Sequence, residues 1–274
     1  MTHKKSAPID SKISWRIIEH TMNIQEKLAE LRHTLARYGL PTDRAPIPLG
    51  HPKADVILGG GLRPGALHEV FAGGWSAGGF AILLALRATR GKSLFWIRPD
   101  YEAMEYGALS PNGFAELGGD PGQLILVRTR HAADALSAAS DILACPHVGA
   151  LLLEIQGMPK CLDLVASRRL AFAAGESGVT VLLLRNGATA EPSAALTRWR
   201  VASAASRQDD DNWGNPVFAA HLIRHRLGGL GSFIMKWNLE HGCFTDSSKE
   251  GADIGAVVCA PAHRPASPPR QSYA

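Results

Sequence analysis

Five short runs in this chain are apolar almost from end to end. They are ALHEVFA (66–72), SLFWIR (93–98), QLILVR (123–128), GALLLEI (149–155) and VTVLLLR (179–185). A strand with one wet face alternates apolar and polar residues, whereas these runs offer nothing to water on either side. Strands of this kind belong in a parallel sheet covered on both faces. The intervening segments supply the cover. FAILLALRAT (80–89), residues 111–118, AADALSAASDILA (132–144) and CLDLVASRRLAFAAGES (161–177) read as helices. Past residue 195 the pattern changes, and LTRWRVASAA, VFAAHLIRHRL and SFIMKWNLEH alternate in period two. That alternation predicts antiparallel strands at the sheet edge, with RLGGLGS turning between the last two.

The flanks divide the chain further. Residues 1–21 show no period and read as a flexible arm. Residues 22–40 form an amphipathic N-terminal helix whose stripe is Ile24, Leu28, Leu31, Leu35 and Tyr38. Two heptads are too short to hold a helix alone, so Leu28, Leu31 and Leu35 must dock on the core or on a partner. Residues 41–52 are a proline-rich linker, 53–244 the α/β core, and 245–274 a Pro-, Ser- and Ala-rich disordered tail.

The strand at 66–72 leads through AGGWSAGGF into a helix, the arrangement in which backbone N–H groups and a helix N-terminus cradle phosphate. The phosphate-loop pattern requires a lysine for the phosphate charge and a hydroxyl for magnesium. Counted from Gly73, Gly79 stands at the lysine and Phe80 at the hydroxyl; counted from Ala72, Gly78 and Gly79 take those places. Gly73, Gly74, Ser76, Gly78 and Gly79 thus form a degenerate loop, and Ser76 lies too early to replace the missing hydroxyl. The GKS at Gly91–Ser93 follows a helix and opens a strand, the wrong end of the unit. Glu154 ends the fourth strand where a magnesium-supporting carboxylate belongs, and Asp100 is placed either to activate a water or to cap a turn. The reading is therefore a protein without ATPase activity, catalytic residues or cofactor. The alternative is a residual ATP-binding protein with a displaced lysine, such as Lys53 or one from a neighbouring subunit.

Composition narrows the class. The longest apolar runs fall short of the roughly 18 residues of a membrane span. The basic N-terminus lacks the apolar stretch of a signal peptide, so a cytoplasmic location is expected. Cys145, Cys161, Cys243 and Cys259 are scattered without a C-x-x-C pair, and His221 and His225 have no acidic or thiol companion, so no metal is expected. The net charge of +4 and pI near 9.0 permit contact with nucleic acid or an acidic partner. Arg198, Trp199, Arg200, Arg224, His225 and Arg226 combine charge with an aromatic, a candidate surface for single-stranded DNA.

Three segments carry a family resemblance. ILGGGLRPGALHEVFAGGWSAGG is similar to the opening of the RecA core through Leu58, Gly59, Gly60, Gly61, Leu62, Gly65 and Glu69. LLEIQGMPKCLDLVASRRLAFAAGESGV (152–179), with Arg168 and Arg169, and a late pattern of Leu222, Arg224, Arg226, Gly231, Phe233 and Trp237 resemble the ImuA family of RecA-like proteins. The likeness spans roughly residues 45–245. It implies a RecA-like P-loop NTPase fold with a degenerate Walker A loop and a Walker B-like Glu154. It also implies a part in the SOS response, in DNA repair by translesion synthesis and in SOS mutagenesis. The partners it implies are an ImuB-type Y-family polymerase homologue, an error-prone DnaE-type polymerase and RecA. A weaker implication is a SulA-like cell-division inhibitor. On this reading Arg168 and Arg169 join the candidate contact residues.

Overall fold

The computed structural model describes residues 44–72, 76–101, 107–206 and 214–247, with Lys27 and Met104 as isolated positions. The arm, all of the predicted N-terminal helix except Lys27, and the chain beyond residue 247 lie outside the described residues. Lys27 is helical and exposed.

The expected sheet forms, with nine strands in the order β3-β2-β4-β5-β1-β6-β7-β8-β9. The strands are β1 Leu67–Ala72, β2 Ser93–Pro99, β3 Leu124–Thr129, β4 Val148–Gln156, β5 Thr180–Asn186, β6 Thr197–Ser203, β7 Val217–His225, β8 Gly231–Asn238 and β9 Cys243–Asp246. The helices are α1 Pro52–Ile57, α2 Ser76–Thr89, α3 Pro111–Glu116, α4 Ala132–Leu143 and α5 Leu164–Ser177. The first five strands are parallel, as their unbroken apolar runs require.

One direction differs from the sequence reading. β6 pairs parallel with β1 and only its far side pairs antiparallel, with β7. It is an interior strand with a partner on each side, not an edge strand; Thr197, Arg198, Trp199 and Val201 are buried, while Arg200, Ala202 and Ser203 are exposed. Period-two alternation reports which residues face a dry layer; it carries no information about direction.

Each face of the sheet has its own core. On one face α2 is apolar nearly all round, with Phe80, Ala81, Leu83, Leu84 and Ala85 fully buried. A helix of that composition must be covered on several sides. The extension β6–β9 supplies the second side: the Phe80 ring lies 5.3 Å from Phe244, 5.5 Å from Phe218 and 5.8 Å from Trp199. On the other face α4 and α5 pack Ala135, Ala139, Leu170, Ala171 and Ala174 against Leu151, Leu153, Val181 and Leu183. α5 begins where Asp163 Oδ1 accepts the Ala166 N–H at 2.7 Å, and it stops at Gly178, which takes the left-handed conformation.

Two boundaries move. The stretch read as a linker is built into the core from Ile47 onwards: Ile47, Leu49 and His51 are buried, and Ile47 bridges Leu62. Gly61, at φ 128°, lets the two backbones meet, because a Cβ there would collide with the Ile47 carbonyl. The prolines that suggest a linker instead hold an extended segment and start α1. At the other end β9 runs through Asp246, so Thr245 and Asp246 belong to the sheet rather than to the tail.

His68, on β1, makes this core sensitive to acid. Its Nε2 lies 2.9 Å from the Arg63 carbonyl and its Nδ1 2.7 Å from Thr197 Oγ1, which in turn accepts the Trp199 indole N–H at 3.1 Å. These partners assign the proton to Nε2. Burial lowers the pKa from 6.5 to about 4, partly offset by the bond to Arg63. Between those values the unfolded chain binds the proton and the folded chain does not, so stability is full above 6.5 and falls as pH drops towards 4. Urea midpoints are expected to fall across this window by the equivalent of about 3 kcal/mol. A midpoint flat from about pH 7 to about pH 4.5 would exclude the assignment.

Candidate functional site

The parallel strands end at one edge of the sheet, where β1 runs into the glycine-rich loop. Gly73, Gly74 and Trp75 lie outside the described residues. Ser76 opens α2, and Gly78 and Gly79 fall in its first turn. Neither glycine is forced by packing, since an added Cβ would meet Leu184 at 3.9 Å and Phe218 at 3.7 Å, ordinary contacts. Phe80, in the hydroxyl position, points into the core.

Glu154 stands where the sequence places it, at the end of β4 on the α2 side of the sheet, but it is enclosed. It is 5% exposed. Its Oε1 accepts from Asn186 Nδ2 on β5 at 2.8 Å, and its Oε2 accepts from the Trp96 indole N–H on β2 at 3.3 Å. Arg98 Nε lies 3.5 Å from the same Oε2, and its guanidinium rests 5.8 Å from the Trp96 ring centre. Both oxygens are engaged, and the positive charge beside the carboxylate belongs to an arginine of the same chain. Period two along β2 puts Trp96 and Arg98 on one face, so that part of the cluster can be read from sequence; its meeting with Glu154 and Asn186 depends on strand order.

Asp100 begins a helical turn after β2 and its Oδ1 accepts from Arg128 Nε on β3 at 2.8 Å. Lys53 Nζ is held 3.0 Å from Asp246 Oδ2 on β9. Among the described residues no group of three or more His, Cys, Asp or Glu side chains is placed to hold a metal ion.

The contact residues read from sequence separate into two sets. Trp199 is fully buried against Phe80, and Arg198 is 6% exposed, so neither is a surface contact. Both are buried because β6 is an interior strand, with a bulge between them in its pairing with β7. Arg198 Nε pairs with Glu69 Oε2 at 2.6 Å, and its Nη2 donates to the Glu191 carbonyl. Beside them is buried Arg185, which donates to the Gly157 carbonyl at 3.2 Å. Burial lowers the Arg185 pKa and Glu69 opposes that shift.

The second set converges. Arg168 from α5 and Arg224 and Arg226 from the end of β7 line one groove with Leu164, Pro192, Ser193 and Ala194. Arg226 Nη1 donates to the Ala194 carbonyl at 3.3 Å. Burial, then Arg224 and Arg168, push the Arg226 pKa below its usual value. Among the described residues no carboxylate pairs with Arg168 or Arg224. Arg169 and Arg200 are exposed but do not line this groove. Leu28, Leu31 and Leu35 lie outside the described residues.

The layered, mainly parallel sheet and its antiparallel extension define a RecA-like α/β fold. Among solved structures the chain is similar to a RadB recombinase: the TM-score is 0.51 at 16% identity, over 73% of this chain and 99% of that one. Likeness at that identity speaks for the fold alone. No family model and no curated protein matches the sequence. No helix among the described residues is long and apolar enough to cross a membrane.

Proposed function

We propose that this chain is a RecA-like scaffold without nucleotide turnover, acting as an adaptor in damage-induced translesion DNA synthesis. Its partners on this reading are an ImuB-type polymerase homologue, an error-prone DnaE-type polymerase and RecA. The observation that carries the loss of turnover is Glu154. A carboxylate that supports magnesium must face the metal's water shell, whereas this one is 5% exposed and turns its oxygens to Trp96, Asn186 and the Arg98 guanidinium. The ImuA-like segments at 152–179 and 222–237 support the choice of pathway.

An adaptor works through surfaces, and two suit the role. The arginine groove offers charge to an acidic partner or to a DNA backbone. The outer edge of β3 has no strand partner among the described residues and exposes Ile125 and Leu126 at 41% each, a template for strand addition.

The test is capture of tagged full-length protein from its native cell after DNA damage, with bound proteins identified by mass spectrometry. The wild-type chain is expected to retain a polymerase or RecA. Arg168→Glu with Arg224→Glu is expected to lose about tenfold of that capture. Recovery of a division protein instead would move the reading to a SulA-like inhibitor, and recovery of neither would overturn both. A second reading, direct contact with single-stranded DNA, rests on the same three converging arginines. Salt-sensitive retention on single-stranded DNA, lost in the same variant, would favour it.

A further inference from the structure

Separate segments of the chain build the arginine groove, and hydrogen bonds hold them together. Its floor is the stretch 192–194. The Ala194 N–H donates to the buried Ser167 Oγ on α5 at 3.1 Å, and the Ala194 carbonyl accepts from Arg226 Nη1 at 3.3 Å. The Arg226 N–H in turn donates to the Leu196 carbonyl at 3.0 Å, which ties the end of β7 to the start of β6. With both Ala194 backbone groups engaged, the arginines supply the groove's chemistry. Arg224 lies two residues before Arg226 and shares its side of the strand. Arg168 stands one helical turn after Leu164 on α5. Arg168 and Arg224 are both exposed.

The groove encloses about 460 Å³, and no carboxylate lines it beside Arg168, Arg224 and Arg226. Like charges gathered on one wall repel, and an anion relieves the repulsion. The chemistry of the rest of the wall decides which polyanion fits. Single-stranded nucleic acid binds where basic side chains alternate with aromatic rings on which the bases stack. None of the residues lining the groove is aromatic, and Trp199, the one ring in the neighbouring strand β6, is fully buried. The wall is aliphatic instead, made of Leu164, Pro192 and Ala194.

The apolar character continues past Arg226. Leu227 follows it directly, and the turn from β7 to β8 exposes Leu227 at 52% and Leu230 at 59%. Between these leucines, Gly228 and Gly229 seat the turn on the end of α1. A Cβ at 228 would stand 2.9 Å from the Ile57 carbonyl oxygen, and one at 229 would stand 3.8 Å from the Ile57 side chain. Val56, next to Ile57, is exposed as well. A turn in water usually carries polar residues at its tip. This one is held down by its glycines with its leucines outward, so an apolar surface adjoins a positive one.

We infer that the arginine groove and the leucines of the β7–β8 turn together dock an acidic peptide segment of a partner protein. Its carboxylates lie on Arg168, Arg224 and Arg226, and its apolar side chains cover Leu227 and Leu230. This deepens the adaptor reading and rests on it for the existence of a protein partner.

Fluorescence anisotropy on the purified full-length chain tests this with labelled probes: a synthetic peptide of repeated Asp-Leu-Glu, the same peptide with Ser in place of Leu, and oligo-dT of matched charge. The leucine peptide should bind about tenfold more tightly than either of the others. Arg168→Glu with Arg224→Glu should weaken it by about tenfold or more. Leu227→Ser with Leu230→Ser should bring it down to the level of the serine peptide. These positions are exposed, so both variants should keep the parent's urea midpoint. Tighter binding of oligo-dT would give the groove to nucleic acid. Equal binding of the two peptides would leave a site for charge alone, and no binding would leave no site; each of these results overturns the inference. Capture from damaged cells judges the adaptor reading separately. Capture without peptide binding keeps that reading and discards this site, while peptide binding without capture does the reverse.

Discussion

Glu69→Ala should destabilise the fold by about 3–5 kcal/mol, the usual result of removing one partner from a buried ion pair. Glu69 sits on the central strand β1, 1% exposed, directly beside Arg198 on β6 in the strand register and against its guanidinium at 2.6 Å. Arg185, on the strand at the other side, relies on the same carboxylate to oppose its desolvation. Alanine would leave two buried guanidiniums without the carboxylate between them, Arg198 on the Glu191 carbonyl and Arg185 on the Gly157 carbonyl and the Phe71 ring. Urea unfolding of the parent and variant measures the loss, and a midpoint shift equivalent to less than about 1 kcal/mol would sink the account. Glu69→Met with Arg198→Met should recover much of the stability, because an apolar pair removes both desolvation costs together. That recovery separates a buried-charge effect from simple loss of volume.

Rebuilding the phosphate-loop pattern should fail for a physical reason. Gly79→Lys with Phe80→Thr restores the lysine and hydroxyl in sequence, yet it is expected to cost about 3–5 kcal/mol and not to restore binding of magnesium-ATP. The cost falls on position 80, whose ring fills the space between α2 and Trp199, Phe218 and Phe244. Position 79 has room for a Cβ. Denaturation reads the first effect and calorimetric titration of magnesium-ATP the second. A double variant as stable as its parent that binds magnesium-ATP would place the whole defect in the loop and remove Glu154 from the argument.

The enclosure of Glu154 separates what the sequence shows from what needs the fold. The loop's missing lysine and hydroxyl are plain in the letters, because the phosphate-loop pattern is contiguous. The capture of Glu154 is not, because Trp96 and Arg98 lie on β2 and Asn186 on β5, and they meet it only because β4 is inserted between those strands. The same limit applies to the arginines. Arg168, Arg224 and Arg226 look no more related in sequence than Arg169 and Arg200, yet three share a groove and two stand apart from it.

By itself the sequence determined the parallel core, since runs such as LLLEI and VLLLR leave no face for water, and it set the turns and helices between them. It also determined that the loop after β1 carries no phosphate lysine. Tertiary structure decided that β6 joins the parallel set, that Trp199 and Arg198 are interior, that residues from Ile47 belong to the core, and that Glu154 is neutralised by Arg98. Each of these depends on which strand lies beside which. Hydrophobic period records only whether a residue is covered, while strand order and direction lie in the pairing of strands distant in the chain.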